Sequence, residues 1–314
     1  MTTGVLLMGY GSPDSPEGIE RYLCNIKAGH ARPGSAARPT PEETERLRKR
    51  YAAIGGTSPF NGITAQQASA LQGSLQSRGA DVTVHIGMLH WEPTIASAAE
   101  NLSRDEVNGI LALPMTPFYS QTSIGGYRSA LAATAAAGGK PAVHFAGQWH
   151  LDPAFVGVWA DAIGAKMKSI GATTDDTHIL FTAHSLPASI LEHGDAYPTQ
   201  FRELCEAIAA SMGLQRWSLA FQSASGKGWL GPSVGERAAD LAAERGTRII
   251  IAPIGFVTEN LETLYDIDIE CVSALRQRGA DIHRVGTPNA SASFINALAS
   301  IVIEGLESAQ DNGV

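Results

Sequence analysis

Short apolar runs alternate along the chain with longer segments in which apolar residues recur at a helical period. The short runs have the continuous apolar character of strands buried on both faces, and they cover residues 5–8, 82–88, 110–113, 143–146, 178–182, 218–222 and 248–252. The longer segments, several of which begin with Pro, Ser or Thr, cover residues 41–51, 64–78, 93–101, 124–137, 153–169, 199–212 and 233–245. This alternation predicts an α/β fold in which parallel sheets are flanked by helices.

The two halves of the sequence resemble each other. Each contains an apolar strand that runs into a polar loop, GVLLMGYGS in the first half and HILFTAHSL in the second. A chain of 314 residues also has the length of two domains. We therefore predict two doubly wound domains, 1–150 and 151–314, with the boundary near residues 147–152 and a last helix, 291–308, that crosses back to the first domain.

Doubly wound sheets bind ligands beyond the carboxyl ends of their strands. Several chemically useful side chains follow predicted strands, and they are Tyr10, Ser120, His184, Ser223 and Phe256. We expect one cleft to collect them.

The charge balance and the cysteines exclude several classes of protein. The net charge of −8 and the pI of about 5.6 argue against a nucleic-acid binder and against adsorption to anionic lipid. Cys24, Cys205 and Cys271 form no CxxC pair, which excludes a zinc ribbon and a four-cysteine iron–sulfur site. Such sparse cysteines fit a reducing cytoplasm. The glycine-rich segments lack the spacing of dinucleotide and Walker motifs.

Two uncharged segments are candidates for membrane contact. Residues 1–10 lack a basic flank and are interpreted as a buried strand, not a signal peptide. Residues 107–127 are interrupted by Pro114 and Pro117 and are rich in Ser, Thr and Gly, so they are a poor membrane span. We expect a soluble, cytoplasmic protein without an integral membrane segment.

His184 is the first candidate for chemistry. It ends the apolar run HILFTA and precedes Ser185, so it is expected to point into the cleft. A neutral imidazole there can accept a proton or bind a first-row metal ion. The alternative is a loop histidine hydrogen-bonded to the backbone, and position alone does not decide between them.

Glu262, Asp266 and Glu270 are spaced by four residues in a segment rich in apolar side chains. This spacing puts the three carboxylates on one face of a helix, and a wider π-type turn would align them better. Like charges at that spacing disfavour a helix unless a cation compensates them. The alternatives are therefore a solvated acidic face and a path for a divalent cation.

At this point the motifs resemble those of the ferrochelatases, in that family's order and over nearly the whole chain. The matching blocks are IGGTSPF at 54–60, HSLP at 184–187, FQS at 221–223, WLGP at 229–232, PIGFV at 253–257 and ETLYDID at 262–268. GYG at 9–11, HWEP at 90–93 and GDAYP at 194–198 resemble the short soluble Gram-positive branch. That branch inserts ferrous iron into coproporphyrin III, giving coproheme.

The resemblance implies a fold and a set of roles. The family fold is two Rossmann-like domains around a porphyrin cleft. His184 and Glu262 would face each other across the porphyrin at the metal site, with Tyr10 able to bind iron from the other face. Asp266 and Glu270 would lead the metal inward. The matching porphyrin-contact positions are Tyr10, Lys27, Arg50, Tyr51, Ser58 and Tyr127.

The same resemblance implies Fe²⁺ and a porphyrin as substrates, no organic cofactor, no iron–sulfur cluster, and transient contact with other heme-pathway enzymes. Two positions depart from the family pattern. Glu259-Asn260 stands where Asp-His is common, so proton removal depends more on His184. Leu89 stands where the Gram-positive branch usually has a basic residue, so one propionate contact is expected to be missing. Alternative functions are protoporphyrin IX ferrochelatase, another tetrapyrrole chelatase such as a cobalt chelatase, and a non-catalytic porphyrin or heme carrier.

Overall fold

Two four-stranded parallel sheets form the framework of the protein. The computed structural model describes residues 3–30, 38–105, 107–135, 141–224, 226–244 and 246–311. The chain divides into two compact units. Unit 1 consists of Met1–Met115, Ser120–Gly147 and Asn289–Val314, and unit 2 consists of Thr116–Tyr119 and Gln148–Pro288.

The sheet of unit 1 has the strand order β2-β1-β3-β4. Its strands are β1 (Thr3–Gly9), β2 (Val82–Met88), β3 (Gly109–Pro114) and β4 (Ala142–Phe145). All residues of β3, and all but the first of β1, are buried, as expected for inner strands covered on both faces. The helices are α1 (Ile19–His30), α2 (Pro41–Ala53), α3 (Phe60–Ser77), α4 (Ile95–Arg104) and α5 (Ile124–Ala135), with a 3-10 turn at Pro16–Gly18.

The sheet of unit 2 repeats this topology in the order β6-β5-β7-β8. Its strands are β5 (Thr177–His184), β6 (Trp217–Gln222), β7 (Arg248–Ala252) and β8 (Ile282–Arg284). The helices are α6 (Pro153–Ser169), α7 (Tyr197–Met212) and α8 (Val234–Ala243), a 3-10 segment at Ala188–His193, and a π-helix, Glu262–Ser273, that continues into α9 (Ala274–Gln277). Capping by Asp152 begins α6 and a capping box of Ser233 with Glu236 begins α8.

The last helix, α10 (Ala292–Asp311), belongs to unit 1, where it packs on α3, β3 and β4. The packing is close, since a Cβ added at Gly305 would lie 3.0 Å from the Leu111 methyl carbons. Among the described residues, Ala292–Ala309 is one window with the length and mean hydropathy, 1.2, of a membrane span, and half of it is buried inside the protein. A core helix passes the same test by length and composition.

The predicted fold class, parallel sheets flanked by helices, is confirmed. Three elements begin and end in the structure at the residues predicted for them: the strands 82–88 and 248–252 and the helix 153–169. The predicted helices 124–137 and 233–245 end at positions outside the described residues. The elements that were not predicted include α1 and β8, and β8 has only 3 residues and two polar side chains.

Candidate active site

The carboxyl edge of the sheet in unit 2 carries the candidate catalytic residues. β5 and β7 are neighbours, and the chain leaves the carboxyl end of β5 towards β6 and that of β7 towards β8, in opposite directions along the sheet. Parallel sheets bind ligands at such a switch point, where the loops of neighbouring strands diverge. His184 is the last residue of β5 and pairs in register with Gln222 of β6. The sheet therefore places the imidazole where ligands bind in folds of this kind.

Hydrogen bonds determine which nitrogen of His184 is available. Its Nδ1 lies 2.5 Å from the carbonyl oxygen of Ser185. A carbonyl oxygen only accepts, so Nδ1 carries the proton and, in the neutral ring, Nε2 keeps its lone pair. The carbonyl oxygen of His184 in turn accepts a hydrogen bond of 2.7 Å from Tyr197 Oη. The half-buried His184 is thus held as a base or ligand through Nε2.

The loop after β7 packs directly on the strand that ends in His184. A Cβ at Gly255 would lie 2.7 Å from the Cβ and 2.8 Å from the Cα of Ala183, so only glycine fits here without a shift. The Gly255 amide also donates to the carbonyl oxygen of Thr182 over 3.1 Å. The next residue, Phe256, consequently has its ring centroid 6.4 Å from that of His184. This loop supplies an apolar wall beside the imidazole.

The acidic segment forms a π-helix, the wider turn that aligns carboxylates at this spacing better than an α-helix does. Glu262 is its first residue and is half-buried, Asp266 is buried, and Glu270 is exposed. Two reciprocal hydrogen bonds begin the helix. Asn260 Oδ1 accepts the Thr263 amide over 2.8 Å, and Thr263 Oγ1 accepts the Asn260 amide over 3.0 Å. Asn260, at the position where the family commonly has histidine, therefore has a capping role.

Ser223 was not assigned a role from the sequence, although its position directly after β6 was noted. Its φ of 63° lies in the left-handed region, which is uncommon for a residue other than glycine. Its Oγ donates a short hydrogen bond to Asp266. This contact joins the π-helix to the loop that follows β6. The buried carboxylate of Asp266 therefore has a fixed orientation.

In unit 1, Tyr10 directly follows β1, the strand that corresponds to β5 in the repeated topology. Its ring is 37% exposed and packs edge-on against His90, with 4.5 Å between centroids. Tyr127 is buried in the neighbouring core, and burial together with the nearby Tyr10 phenol raises its pKa. These two phenols therefore lie near each other, and Tyr10 is the more exposed of the two.

The other predicted porphyrin-contact residues of unit 1 lie on or next to α1, α2 and α3. Lys27 is half-buried and its Nζ lies 2.5 Å from Glu43 Oε2. Tyr51 is only 2% exposed, and its Oη is 3.0 Å from the Oγ of Ser12. Arg50 is in the last turn of α2. Ser58 precedes α3, and its Oγ accepts a hydrogen bond of 3.3 Å from the backbone amide of Phe60.

A cavity of about 920 Å³ lies in unit 1 among α1, the loop after β2 and the first turns of α5. Polar groups share its wall with apolar ones, and the lining includes Arg21, Asn25, Leu89, Trp91, Gln121 and Ser129. Leu89 thus lies in the wall of this cavity. The basic residue that the resemblance leads us to expect at this position would have placed a positive charge there.

No group of three or more His, Cys, Asp or Glu side chains in the described part of the chain is arranged to hold a metal ion. His184, Glu262, Asp266 and Glu270 are therefore not gathered into a closed ligand set.

Comparison with known proteins agrees with the motifs. A family model described as Ferrochelatase matches residues 2–306. The coproporphyrin III ferrochelatase of Geobacillus kaustophilus is 36% identical over 309 residues, which cover 96% of this chain and 96% of that protein. The coproporphyrin III ferrochelatase of Listeria monocytogenes is 36% identical over 307 residues, which cover 96% and 97%.

Solved structures with low sequence identity to this chain share its fold. SirB from Bacillus subtilis with Fe³⁺ has a TM-score of 0.61 at 13% identity and covers 99% of this chain and 98% of its own. CbiX, the terminal enzyme for biosynthesis of siroheme in denitrifying bacteria, has a TM-score of 0.58 at 15% identity, with coverage of 96% and 98%. The family predicted from the motifs is thereby confirmed, and the chain belongs to the ferrochelatase family.

Proposed function

We propose that this enzyme inserts Fe²⁺ into coproporphyrin III, giving Fe-coproporphyrin III (coproheme) in heme biosynthesis. Relatives that carry the name coproporphyrin III ferrochelatase match this chain nearly end to end, which supports this substrate. The observation that supports the chemistry most directly is the hydrogen bond from His184 Nδ1 to Ser185 O. It leaves Nε2 as a base at the carboxyl edge of the sheet.

Metal insertion requires that two pyrrole N–H protons leave while Fe²⁺ binds the four ring nitrogens. Nε2 of His184 accepts the protons in turn, since a neutral imidazole has the basicity for this near neutral pH. The carboxylate of Glu262 favours both the imidazolium and the incoming cation. The two protons released balance the two positive charges that the metal brings, so no oxidant or reductant takes part.

Asp266 and Glu270 form the proposed route of the metal to Glu262. Carboxylates one π-helical turn apart bind a divalent cation in succession, and the open set releases it again. Imidazole and carboxylate ligands do not select strongly among first-row divalent ions. We therefore expect Co²⁺ and Zn²⁺ to be inserted in vitro as well as Fe²⁺.

The residues of unit 1 are proposed to bind the porphyrin. Lys27 and Arg50 supply positive charge for propionates, while Ser58, Tyr51 and Tyr127 supply hydroxyl groups or packing. Tyr10 is proposed as an iron ligand on the face of the ring away from His184. The proposed setting is the cytoplasm, with transient contacts to heme-pathway enzymes that deliver the porphyrin and accept the product.

The test is anaerobic metallation followed by absorbance. Wild-type protein with excess coproporphyrin III and Fe²⁺ should consume the free-base bands over many turnovers. His184→Ala should abolish turnover and retain porphyrin binding, whereas His193→Ala, at the nearby end of the 3-10 segment, should behave as wild type. Bleaching that stops at one porphyrin per protein would identify a carrier. Faster turnover of protoporphyrin IX, or turnover with Co²⁺ but not Fe²⁺, would support the other chelatase activities instead.

A further inference from the structure

Arg284 connects two parts of the acidic segment from the neighbouring strand. It is the last residue of β8, and its Nε and Nη2 each donate to one carboxylate oxygen of Asp268 over 2.7 Å. Its Nη1 donates to Glu259 over 2.8 Å. Asp268 lies inside the π-helix, and Glu259 lies three residues before its first residue. One guanidinium therefore bridges the chain on both sides of Glu262 and Asp266.

Glu259 is held from several directions. Its Oε1 accepts the Thr287 amide over 3.0 Å in addition to Arg284, and its Oε2 accepts Thr263 Oγ1 over 2.7 Å. Burial alone would raise its pKa, but the guanidinium and these hydrogen bonds hold the pKa below the usual value. The side chains of Arg284 and Glu259 are 12% and 13% exposed, so water screens this pair little.

The same contacts divide the acids of the π-helix into two groups. Asp268 is neutralised by the bidentate fork of Arg284. In contrast, Glu262 and Glu270 form no ion pair within the part of the chain that the structure describes. Asp268 is thus tied to β8, whereas no arginine or lysine among the described residues competes with a cation for Glu262 or Glu270.

We infer that Arg284 is a positioning residue for metal delivery: it holds the π-helical register in which Glu262, Asp266 and Glu270 share one face. This inference rests on the proposed function. A π-helix is rare and mostly limited to a single turn, so a π-helix of this length needs contacts from its surroundings. Residues behind metal-binding side chains commonly change metal affinity or activity by roughly 10- to 100-fold when removed.

The test compares Arg284→Met with Arg248→Met. Arg248 begins β7 at the opposite end of the same sheet and also bridges two carboxylates, Asp281 and Asp176, over 2.7 and 3.4 Å. Arg284→Met should raise the KM for Fe²⁺ roughly 10- to 100-fold and leave the Kd for coproporphyrin III within about twofold. Arg248→Met should change neither. Asp268→Asn should resemble Arg284→Met, and the double variant should be little worse than either single one.

Backbone hydrogen exchange over residues 262–273 gives a readout independent of activity. Exchange should be faster in Arg284→Met than in Arg248→Met. An unchanged KM and unchanged exchange, or equal losses in both variants, would overturn the inference. If Arg284→Met does not fold, Arg284→Lys, which keeps the charge without the planar fork, should still raise the KM, and a wild-type KM would overturn it. If the wild type inserts no iron, the proposed function fails, and exchange alone still decides whether Arg284 holds the π-helix.

Discussion

Tyr197 Oη donates a hydrogen bond to the carbonyl oxygen of His184, with 2.7 Å between the two oxygens. Burial, with the nearby charge of Asp195, raises the pKa of this phenol, so it remains a donor. Tyr197→Phe leaves the carbonyl of the half-buried His184 without this donor. We expect the free energy of unfolding to fall by about 1–3 kcal/mol, as measured by urea denaturation, and kcat for iron insertion to fall because the backbone under the imidazole is released.

Ser211→Ala is the matched control for this change. Ser211 lies on the same helix, α7, and its Oγ donates to the carbonyl oxygen of Ile208 over 2.9 Å, far along the helix from Tyr197. It should retain wild-type kcat. A Tyr197→Phe protein that is folded and turns over iron at the wild-type rate would show that the hydrogen bond does not position His184.

Lys27 is engaged by Glu43 before any porphyrin binds. Glu43 Oε2 accepts both the Lys27 Nζ and the Thr40 amide that starts α2, and these hydrogen bonds hold the pKa of Glu43 below its usual value. A propionate must therefore compete with Glu43 for Lys27 at neutral pH. Glu43→Gln keeps the capping contact and removes the charge. Because an ion pair that water partly reaches is worth little, we expect coproporphyrin III to bind only roughly 2- to 5-fold more tightly.

Fluorescence quenching of the porphyrin measures this affinity. The control is Glu45→Gln, which breaks an exposed pair with Arg48 on the same helix and should leave the affinity unchanged. Equal or weaker binding by Glu43→Gln would mean that Lys27 does not contact a propionate.

The sequence predicted the parts of this molecule that depend on local pattern. β2, β7 and α6 were located to the residue from their apolar or helical patterns. The four-residue spacing of the acids predicted a helix with the three carboxylates on one face and left open whether its turns were α or π, and the structure shows a π-helix. β8 was missed because its 3 residues include two polar ones, whose role depends on the neighbouring strand.

The contacts behind the site could not be predicted, since they join residues far apart in sequence. Arg284 and Glu259 are 25 residues apart, and Ser223 and Asp266 are 43 apart. No periodicity encodes such pairs, which arise only when β6, β8 and the π-helix are brought to one edge of the sheet. Asn260 was interpreted as a lost histidine, and only the structure shows its capping hydrogen bond.

Close packing of Gly255 on Ala183 predicts a second stability effect. Gly255→Ala would put a methyl group 2.8 Å from a backbone Cα that cannot move without shifting β5. We expect a loss of about 1–3 kcal/mol in the free energy of unfolding and slower iron insertion, because His184 ends that strand. Gly235→Ala is the control: nothing lies within 4 Å of the added Cβ in α8, so the helix should gain about 0.5–1 kcal/mol. Similar stabilities of the two variants would contradict the packing argument.

His178 predicts how stability depends on pH. It is buried in β5 and lies 2.9 Å from Ser218 Oγ, and burial, with the charges of Arg237 and Arg216, lowers its pKa from 6.5 to about 4. Between these two values the unfolded chain binds a proton that the folded chain does not. This contribution to stability is therefore complete above pH 6.5 and is lost as the pH falls towards 4.

From pH 7 to pH 5 we expect the wild type to lose about 2 kcal/mol of unfolding free energy through this histidine. Urea denaturation at half-unit pH intervals measures the slope of the unfolding free energy against pH. The interval from pH 7 to pH 5 lies above the pH range in which ordinary carboxylates titrate. His178→Gln should remove this loss of about 2 kcal/mol between pH 7 and pH 5. It should leave iron insertion unchanged, because the side chain lies near the start of β5, away from His184. His193→Gln, an exposed histidine, should retain the wild-type slope. A slope that is the same in wild type and His178→Gln would show that His178 protonates equally in the folded and unfolded chain.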